Sequence, residues 1–452
     1  MTQPNTKSSS AAASRREFLK VSGRIAAAGA LAGVALPACH AAESSTIKLA
    51  LVGCGGRGTG AVGDAFAATG GPVRLHALAD LFEHRLQGSL GHLKKAFPDR
   101  ADVPPDRCFL GFDAYRKAID SLSPGDVAIL TTSSVFRPLH FEYAVQKGIN
   151  VFMEKSFAVD APGTRRLLKA AEASEKKNLK VGVGFMWRHC KARQEVIQRI
   201  HDGAIGEVHT LRIYRVHGPV HCPRRPPNQS ELVFQLQHPV CFNWVTGGFF
   251  IDWHCHNVDV ACWVKNDWPV SAQGMGGRCY PEAGNLFDHY TVEYTFADGA
   301  KLFAFSRHMN NCWQTYADYA HGSKGSAVIM TNLSTASPKI YKGQRMVDAE
   351  VAWRLPGPEP NPYHREWQVL LDAIRQGKPH NEARRAGEAN LATLMGRMAT
   401  HTGALITREQ ALKSEFELVK DIDRMTMETP APLQAAPDGT YAAPQPGITK
   451  EC

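Results

Sequence analysis

Residues 47–58 read IKLALVGCGGRG. An unbroken apolar run that passes directly into glycines spaced G-x-G-x-x-G predicts a buried strand turning sharply into a helix. In a chain with 39 glycines such a spacing arises easily by chance. Its place between a strand and a helix is what gives it weight. Gly53 permits the tight turn, Gly55 lets backbone approach a pyrophosphate, and Gly58 allows close helix–strand packing. Gly56 and Arg57 complete the loop, and the helix that opens there offers unpaired N–H groups to an anion.

The pattern repeats downstream. VRLHALAD (73–80), DVAILTTS (126–133) and INVFMEK (149–155) read as strands, separated by helical stretches such as PLHFEYAVQKG (138–148). Apolar strands alternating with helices predict a parallel sheet covered on both faces. Asp80, ending the second strand, stands where a carboxylate receives the adenosine ribose hydroxyls. It would repel a 2′-phosphate, which favours NAD, although Arg57 or Arg85 could accommodate NADP. Thr132, at the end of DVAILTTS, and His140, in the helix that follows, are assigned to the same cofactor crevice.

From about residue 206 the style changes. EVHTLRIYRVHG, HYTVEYTFADGAKLFAFSRH and KGSAVIM alternate polar and apolar residues, as strands with one wet face do. Residues 218–245 read as a long loop, and 362–412 return to helix. The expected class is α/β plus α+β. A doubly wound parallel Rossmann sheet spans 46–165, and a domain with a large open, mostly antiparallel sheet spans 166–425. A Pro/Ala-rich arm, wrapping or disordered, occupies 426–452.

Two stretches carry chemistry. INVFMEK delivers Glu154 and Lys155 to the edge of the sheet where ligands bind. GGFFIDWHCHNVD (247–259) admits two readings. As a helix it aligns Asp252, His256 and Asp259 on one face. As a strand it aligns Asp252, His254 and His256, a set suited to a metal; no metal is assigned. Trp187, Arg188 and His189 follow KVGVGFM and are placed at the substrate pocket. Tyr214, Trp244 and Trp253 are offered as sugar-stacking or core aromatics.

With these residues in view, the chain resembles the glucose–fructose oxidoreductase/inositol dehydrogenase (Gfo/Idh/MocA) family over roughly residues 46–412. Gly53, Gly55 and Gly58 match its glycine loop. Glu154 and Lys155 match its Glu-Lys-Pro motif, with Ser156 in place of Pro. Asp252, His256 and Asp259 match its Asp-x-Gly-x-His-x-x-Asp segment, with His254 in place of Gly. The resemblance implies Lys155, Asp252 and His256 as the catalytic group. It also implies NAD(P)-dependent oxidation of a sugar, sugar derivative or cyclic polyol. On that reading His256 takes the hydroxyl proton, oriented by Asp252, while Lys155 holds the same oxygen with a pKa lowered by burial. Arg188, His254 and Asp259 are expected to contact substrate. Two other functions stay open. One is a glycosidase that oxidises transiently, eliminates and re-reduces, with His254 as the extra base. The other is a non-catalytic NAD-linked binding protein.

The N-terminus reads as an address. Ser14-Arg15-Arg16-Glu17-Phe18-Leu19-Lys20 and the apolar run after it resemble a twin-arginine signal over residues 1–42, implying the twin-arginine translocase as a partner and a periplasmic or exported protein. Cys39 is a candidate lipid anchor. Residues 1–38 carry +4 of the formal +9, and the remainder forms no basic stripe, which argues against nucleic acid as a partner. Outside the cytoplasm no free nicotinamide pool exists, so the cofactor is expected to be tightly bound. The 11 cysteines show no C-x-x-C pair, and most are expected as free thiols. The open sheet is expected to pair in a homo-oligomer.

Overall fold

The computed structural model describes residues 46–280, 284–331, 338–355 and 359–452. The signal segment 1–42 and Cys39 lie outside the described residues.

Six parallel strands form the first sheet: β1 (Ile47–Val52), β2 (Val73–Asp80), β3 (Cys108–Leu110), β4 (Val127–Leu130), β5 (Asn150–Met153) and β6 (Val181–Val183). Their order is β3-β2-β1-β4-β5-β6. The order in which strands are added reverses between β1 and β4, which run parallel, and a crevice opens at their carboxyl ends. β1 and β4 carry almost only apolar, fully buried residues because helices cover both faces.

Nine strands form the second sheet: β7 (Val208–His217), β8 (Ser271–Gly277), β9 (His289–Thr295), β10 (Lys301–His308), β11 (Thr315–Gly322), β12 (Ser326–Thr331), β13 (Lys339–Tyr341), β14 (Val351–Arg354) and β15 (Ile406–Thr407). Their order is β14-β13-β12-β11-β7-β10-β9-β8-β15. Among the described residues only the β7–β10 pair of this sheet is parallel. β9 and β10 alternate buried and half-exposed residues, as the period of two predicted. The buried face packs against the helices Gly248–Lys265 and Ala383–Thr402.

Three expectations change, and one choice left open is decided. The parallel sheet does not stop at residue 165, since Val181–Val183 pairs with β5 as a sixth strand; three residues are too few for a periodic signal. One face of that sheet is covered by the distant helix Pro362–Arg375, whose Trp367 stacks on Phe152 at 4.3 Å. Segment 218–245 is not a plain loop. It holds the short helices Glu231–Gln237 and Asn243–Thr246 and a Cys222–Cys241 disulfide. The other eight cysteines of the described residues are free. Of the two readings left open for the arm 426–452, wrapping holds and disorder does not. Tyr441 donates to Glu231 at 2.7 Å, and Glu451 meets buried Arg397 at 2.9 Å and His401 at 2.8 Å.

Candidate functional site

The crevice at the carboxyl ends of β1, β2, β4 and β5 encloses about 340 Å³. Gly53 turns the chain with φ +99°, and a side chain there would meet the Thr132 amide at 2.6 Å. A side chain at Gly58 would meet the Gly53 carbonyl at 2.1 Å. At Gly55 and Gly56 a side chain would meet nothing within 4 Å, so open space lies over the loop. The helix Gly56–Ala67 has no side-chain cap, which leaves its first N–H groups available. Asp80 is held by two backbone amides, accepting from Cys54 at 2.6 Å and Phe82 at 2.8 Å, and still lines the cavity. Open space above the glycines, free amides and a fixed carboxylate together fit a dinucleotide. Gly53, Gly55, Gly56 and Asp80 would hold its pyrophosphate and ribose.

Thr132 and His140 lie at the same cavity, bonded to each other at 3.1 Å. Burial, and then the Arg137 charge, pushes the His140 pKa down to about 3, so the ring is neutral. Arg57 is held by Glu154 at 2.9 Å and Asp64 at 2.5 Å, and lies over the Tyr363 ring. Its charge is thus already matched by two carboxylates, which weakens its claim to a 2′-phosphate. Arg85 lines the cavity and donates to the Gln237 carbonyl at 2.9 Å.

Residues 248–265 are helical, which settles the choice left open by the sequence. The strand reading fails, and with it the shared face of Asp252, His254 and His256. Lys155 and Asp252 both line the cavity, with Nζ 3.0 Å from Oδ1. Nζ also donates to the Asp252 carbonyl. Burial is the largest single influence and opposes the ammonium charge, but the Asp252 carboxylate, which also accepts its hydrogen bond, together with Cys255 and Glu154 outweighs it, and the Lys155 pKa stands above its ordinary value. The expectation of a lowered lysine pKa is corrected: the neighbour that decides is an acid. His256 is buried beside Phe185, ring centroids 5.6 Å apart, outside the residues that line the cavity, and its buried Nδ1 has no hydrogen-bond partner. Burial and then the Lys155 charge hold its pKa well below the ordinary range, so the ring is neutral. Asp252 is spent on Lys155, and no hydrogen bond from it to His256 is formed among the described residues.

Other candidates fall elsewhere. Asp259 is 1% exposed and is clamped by Arg188 at 2.9 Å and Arg385 at 3.1 Å. Two guanidiniums around one buried carboxylate make a structural ion cluster, so Asp259 and Arg188 are removed from substrate contact. His254 is fully buried and bonded to Ser306, away from the cavity lining. This takes away the extra base offered for an elimination step. Trp187 donates to the Tyr316 hydroxyl at 3.0 Å, and His189 faces Glu382 at 3.5 Å. Trp244 is buried and bonded to Gln235, and Tyr214 stacks on Phe305 on the outer face of the second sheet. The sequence reading missed Arg137. It is buried at the cavity and donates to the Leu130 and Thr132 carbonyls, holding the ends of β4 in place. Nothing in the pattern of an amphipathic helix start marks such an arginine.

Comparison with known proteins agrees with this architecture. Residues 193–328 match the GFO/IDH/MocA C-terminal domain. The inositol 2-dehydrogenase of Pseudomonas fluorescens (strain SBW25) is 34% identical over 184 residues, 40% of this chain and 48% of that protein. That of Ralstonia nicotianae is 27% identical over 262 residues, 57% of this chain and 66% of that protein. The chain thus spans about half to two thirds of the length of these curated relatives. Aldose-aldose oxidoreductase from Caulobacter crescentus, complexed with glycerol, superposes with a TM-score of 0.61 at 18% identity, over 80% of this chain and 100% of that one. Scyllo-inositol dehydrogenase from Lactobacillus casei, with bound NAD(H) and scyllo-inositol, gives 0.58 at 18% identity, over 81% and 100%. The two-sheet fold is shared with these dehydrogenases, and the sequence matches support the Gfo/Idh/MocA family.

Proposed function

We propose that this chain is a Gfo/Idh/MocA oxidoreductase that uses NAD to oxidise a secondary alcohol of a sugar, sugar derivative or cyclic polyol. One observation carries the reading: Lys155 and Asp252 meet at 3.0 Å in the same cavity as the glycine loop and Asp80. The inositol 2-dehydrogenase relatives and the neighbour solved with NAD(H) and scyllo-inositol support the substrate class and cofactor.

The bound dinucleotide would supply a two-electron acceptor for the substrate carbon–hydrogen bond. The chain's own residues do the rest. The Lys155 ammonium donates to the substrate oxygen and stabilises the negative charge that grows there as the hydroxyl proton leaves. Asp252 keeps that ammonium charged and aimed. His256, neutral and close enough to feel the Lys155 charge, is the proposed proton acceptor, through the ring nitrogen other than its buried Nδ1. Arg137 holds the strand ends that shape the crevice.

Export by the twin-arginine route follows from Arg15-Arg16 and the apolar run after it, and would place the protein in the periplasm with a cofactor retained through each cycle. Denaturing the purified protein and identifying the released nucleotide tests the cofactor. Incubating the intact protein with inositols and aldoses, while following the absorbance of reduced nicotinamide, tests the reaction. Release of no nucleotide, or a nicotinamide that no polyol reduces, would sink the reading.

A further inference from the structure

Beside the Lys155 pair lies a second charged cluster that the proposed chemistry does not use. Arg215 projects from the buried face of β7 toward the Gly248–Lys265 helix. Its guanidinium sits 4.0 Å from the Tyr316 ring centre and 5.3 Å from that of Trp253, the residue after Asp252. Among the described residues no carboxylate pairs with it, and its Nε is buried without a hydrogen-bond partner. Its charge is felt at His256, as is that of Lys155, so the three groups share one neighbourhood.

A second guanidinium stands close by. Arg193 is 6% exposed, lies 3.8 Å from the Trp187 ring centre, and bonds to the Cys190 sulfur at 2.9 Å rather than to an acid. Trp187 in turn donates to Tyr316. The carboxylate among these groups is Asp318 on β11, buried and accepting from Asn257 at 2.7 Å. Burial pushes its pKa up to about 7, so it carries only part of a charge at neutral pH. Lys155, Arg193 and Arg215 therefore face Asp252 and a partly ionised Asp318. The balance is an excess of between one and two positive charges, set by how far Asp318 is ionised.

An unpaired cation is costly to hold in a half-buried, aromatic-walled setting unless a ligand supplies the partner. Stacking against Tyr316 fixes the guanidinium plane and leaves its edge for a planar, two-oxygen group. We infer that Arg215 is a specificity-determining residue that receives a carboxylate of the substrate, so that the preferred substrate is a sugar acid rather than a neutral sugar. The aromatic walls on either side of the guanidinium suit a planar carboxylate better than a bulkier tetrahedral phosphate dianion. This inference rests on the oxidoreductase reading for its substrate class and on Arg215 for its anion.

Calorimetric binding of glucuronate, glucose and glucose 6-phosphate to the intact holoprotein tests it, beside nicotinamide reduction by the same three. Glucuronate is expected to bind at least tenfold more tightly than glucose and to bind better than the phosphate ester. In Arg215→Gln the glucuronate-to-glucose preference should collapse to within about threefold, with Arg215→Lys intermediate because it keeps the charge but not the fork. Equal binding of glucose and glucuronate, stronger binding of the phosphate ester, or an unchanged preference in Arg215→Gln overturns the inference. Glucuronate binding that depends on Arg215, without nicotinamide reduction by any sugar, would instead overturn the oxidoreductase reading and leave the anion site standing.

Discussion

Lys155 Nζ stands 3.0 Å from Asp252 Oδ1 although 97 residues separate them in the chain. The first sheet supplies the amine and the long helix of the second domain supplies the carboxylate. Both residues line the crevice, and the carboxylate helps keep the ammonium charged, as the proposed chemistry requires.

Lys155→Ala should lower kcat by about 10²- to 10⁴-fold, the usual range for a group that assists proton transfer. Asp252→Asn should act through pH. The carboxylate holds the Lys155 pKa up and burial presses it down, so removing the acid lets burial win. The alkaline limb of the pH–rate curve should then move to lower pH. An identical limb in both proteins would show that Asp252 does not govern Lys155.

Asp80→Asn should weaken NAD binding by about tenfold, the size of one charge-assisted hydrogen bond lost, and narrow discrimination against NADP. Asp80 also fixes the Cys54 and Phe82 amides, so the loop itself loosens. Fluorescence titration with both nucleotides checks this; an unchanged NAD-to-NADP ratio would remove Asp80 from cofactor choice.

Glu451→Ala should destabilise the fold by roughly 3–5 kcal/mol, because it leaves buried Arg397 without its carboxylate. The same residue predicts acid sensitivity. Burial alone would raise its pKa, but Arg397 and His401 bring it down to about 2. Its contribution is therefore complete above the unfolded pKa of about 4.3 and is lost as pH falls toward 2. Urea midpoints of wild type and variant should converge over that interval. A constant gap would contradict the assignment.

Glu366→Gln should stabilise the protein at neutral pH. Glu366 is 2% exposed and neither carboxyl oxygen has a hydrogen-bond partner. Burial, followed by the Glu154 charge, raises its pKa well above the ordinary value. As pH climbs past about 4.3 the unfolded state ionises while the folded state keeps its proton, so stability falls with rising pH. The glutamine variant should gain roughly 1–3 kcal/mol at pH 7 and nothing near pH 4. Thermal melts at the two pH values decide.

The outer face of the second sheet should pair with a second copy of the chain. Tyr214 stacks on Phe305 at 5.0 Å, and Trp313 beside it is 67% exposed. Exposed apolar faces of this kind mark interaction sites. Light scattering should give a mass above that of one chain, and Trp313→Glu with Phe305→Glu should reduce it to the monomer. A monomeric wild type at micromolar concentration would refute this.

Much of the molecule was legible in its sequence where the controlling physics is local. Gly53 and Gly58 announce the turn because only glycine tolerates the positive φ at the first and the close approach at the second, while Gly55 leaves open space over the loop. The period-two alternation of β9 and β10 announces a two-faced sheet, and Glu154-Lys155 at the end of an apolar strand announces a crevice. What the sequence could not decide is which charges meet. Asp252, His256 and Asp259 lie along one helix at spacings that suit a single site. The fold instead gives Asp252 to Lys155 and surrounds Asp259 with two arginines. Arg215 reads as one more polar position of an alternating strand until Tyr316 and Trp253 close around it. Local geometry is written in neighbouring residues. A side chain's partners, and with them its charge, depend on which distant segments pack against it, and only the tertiary structure determines that.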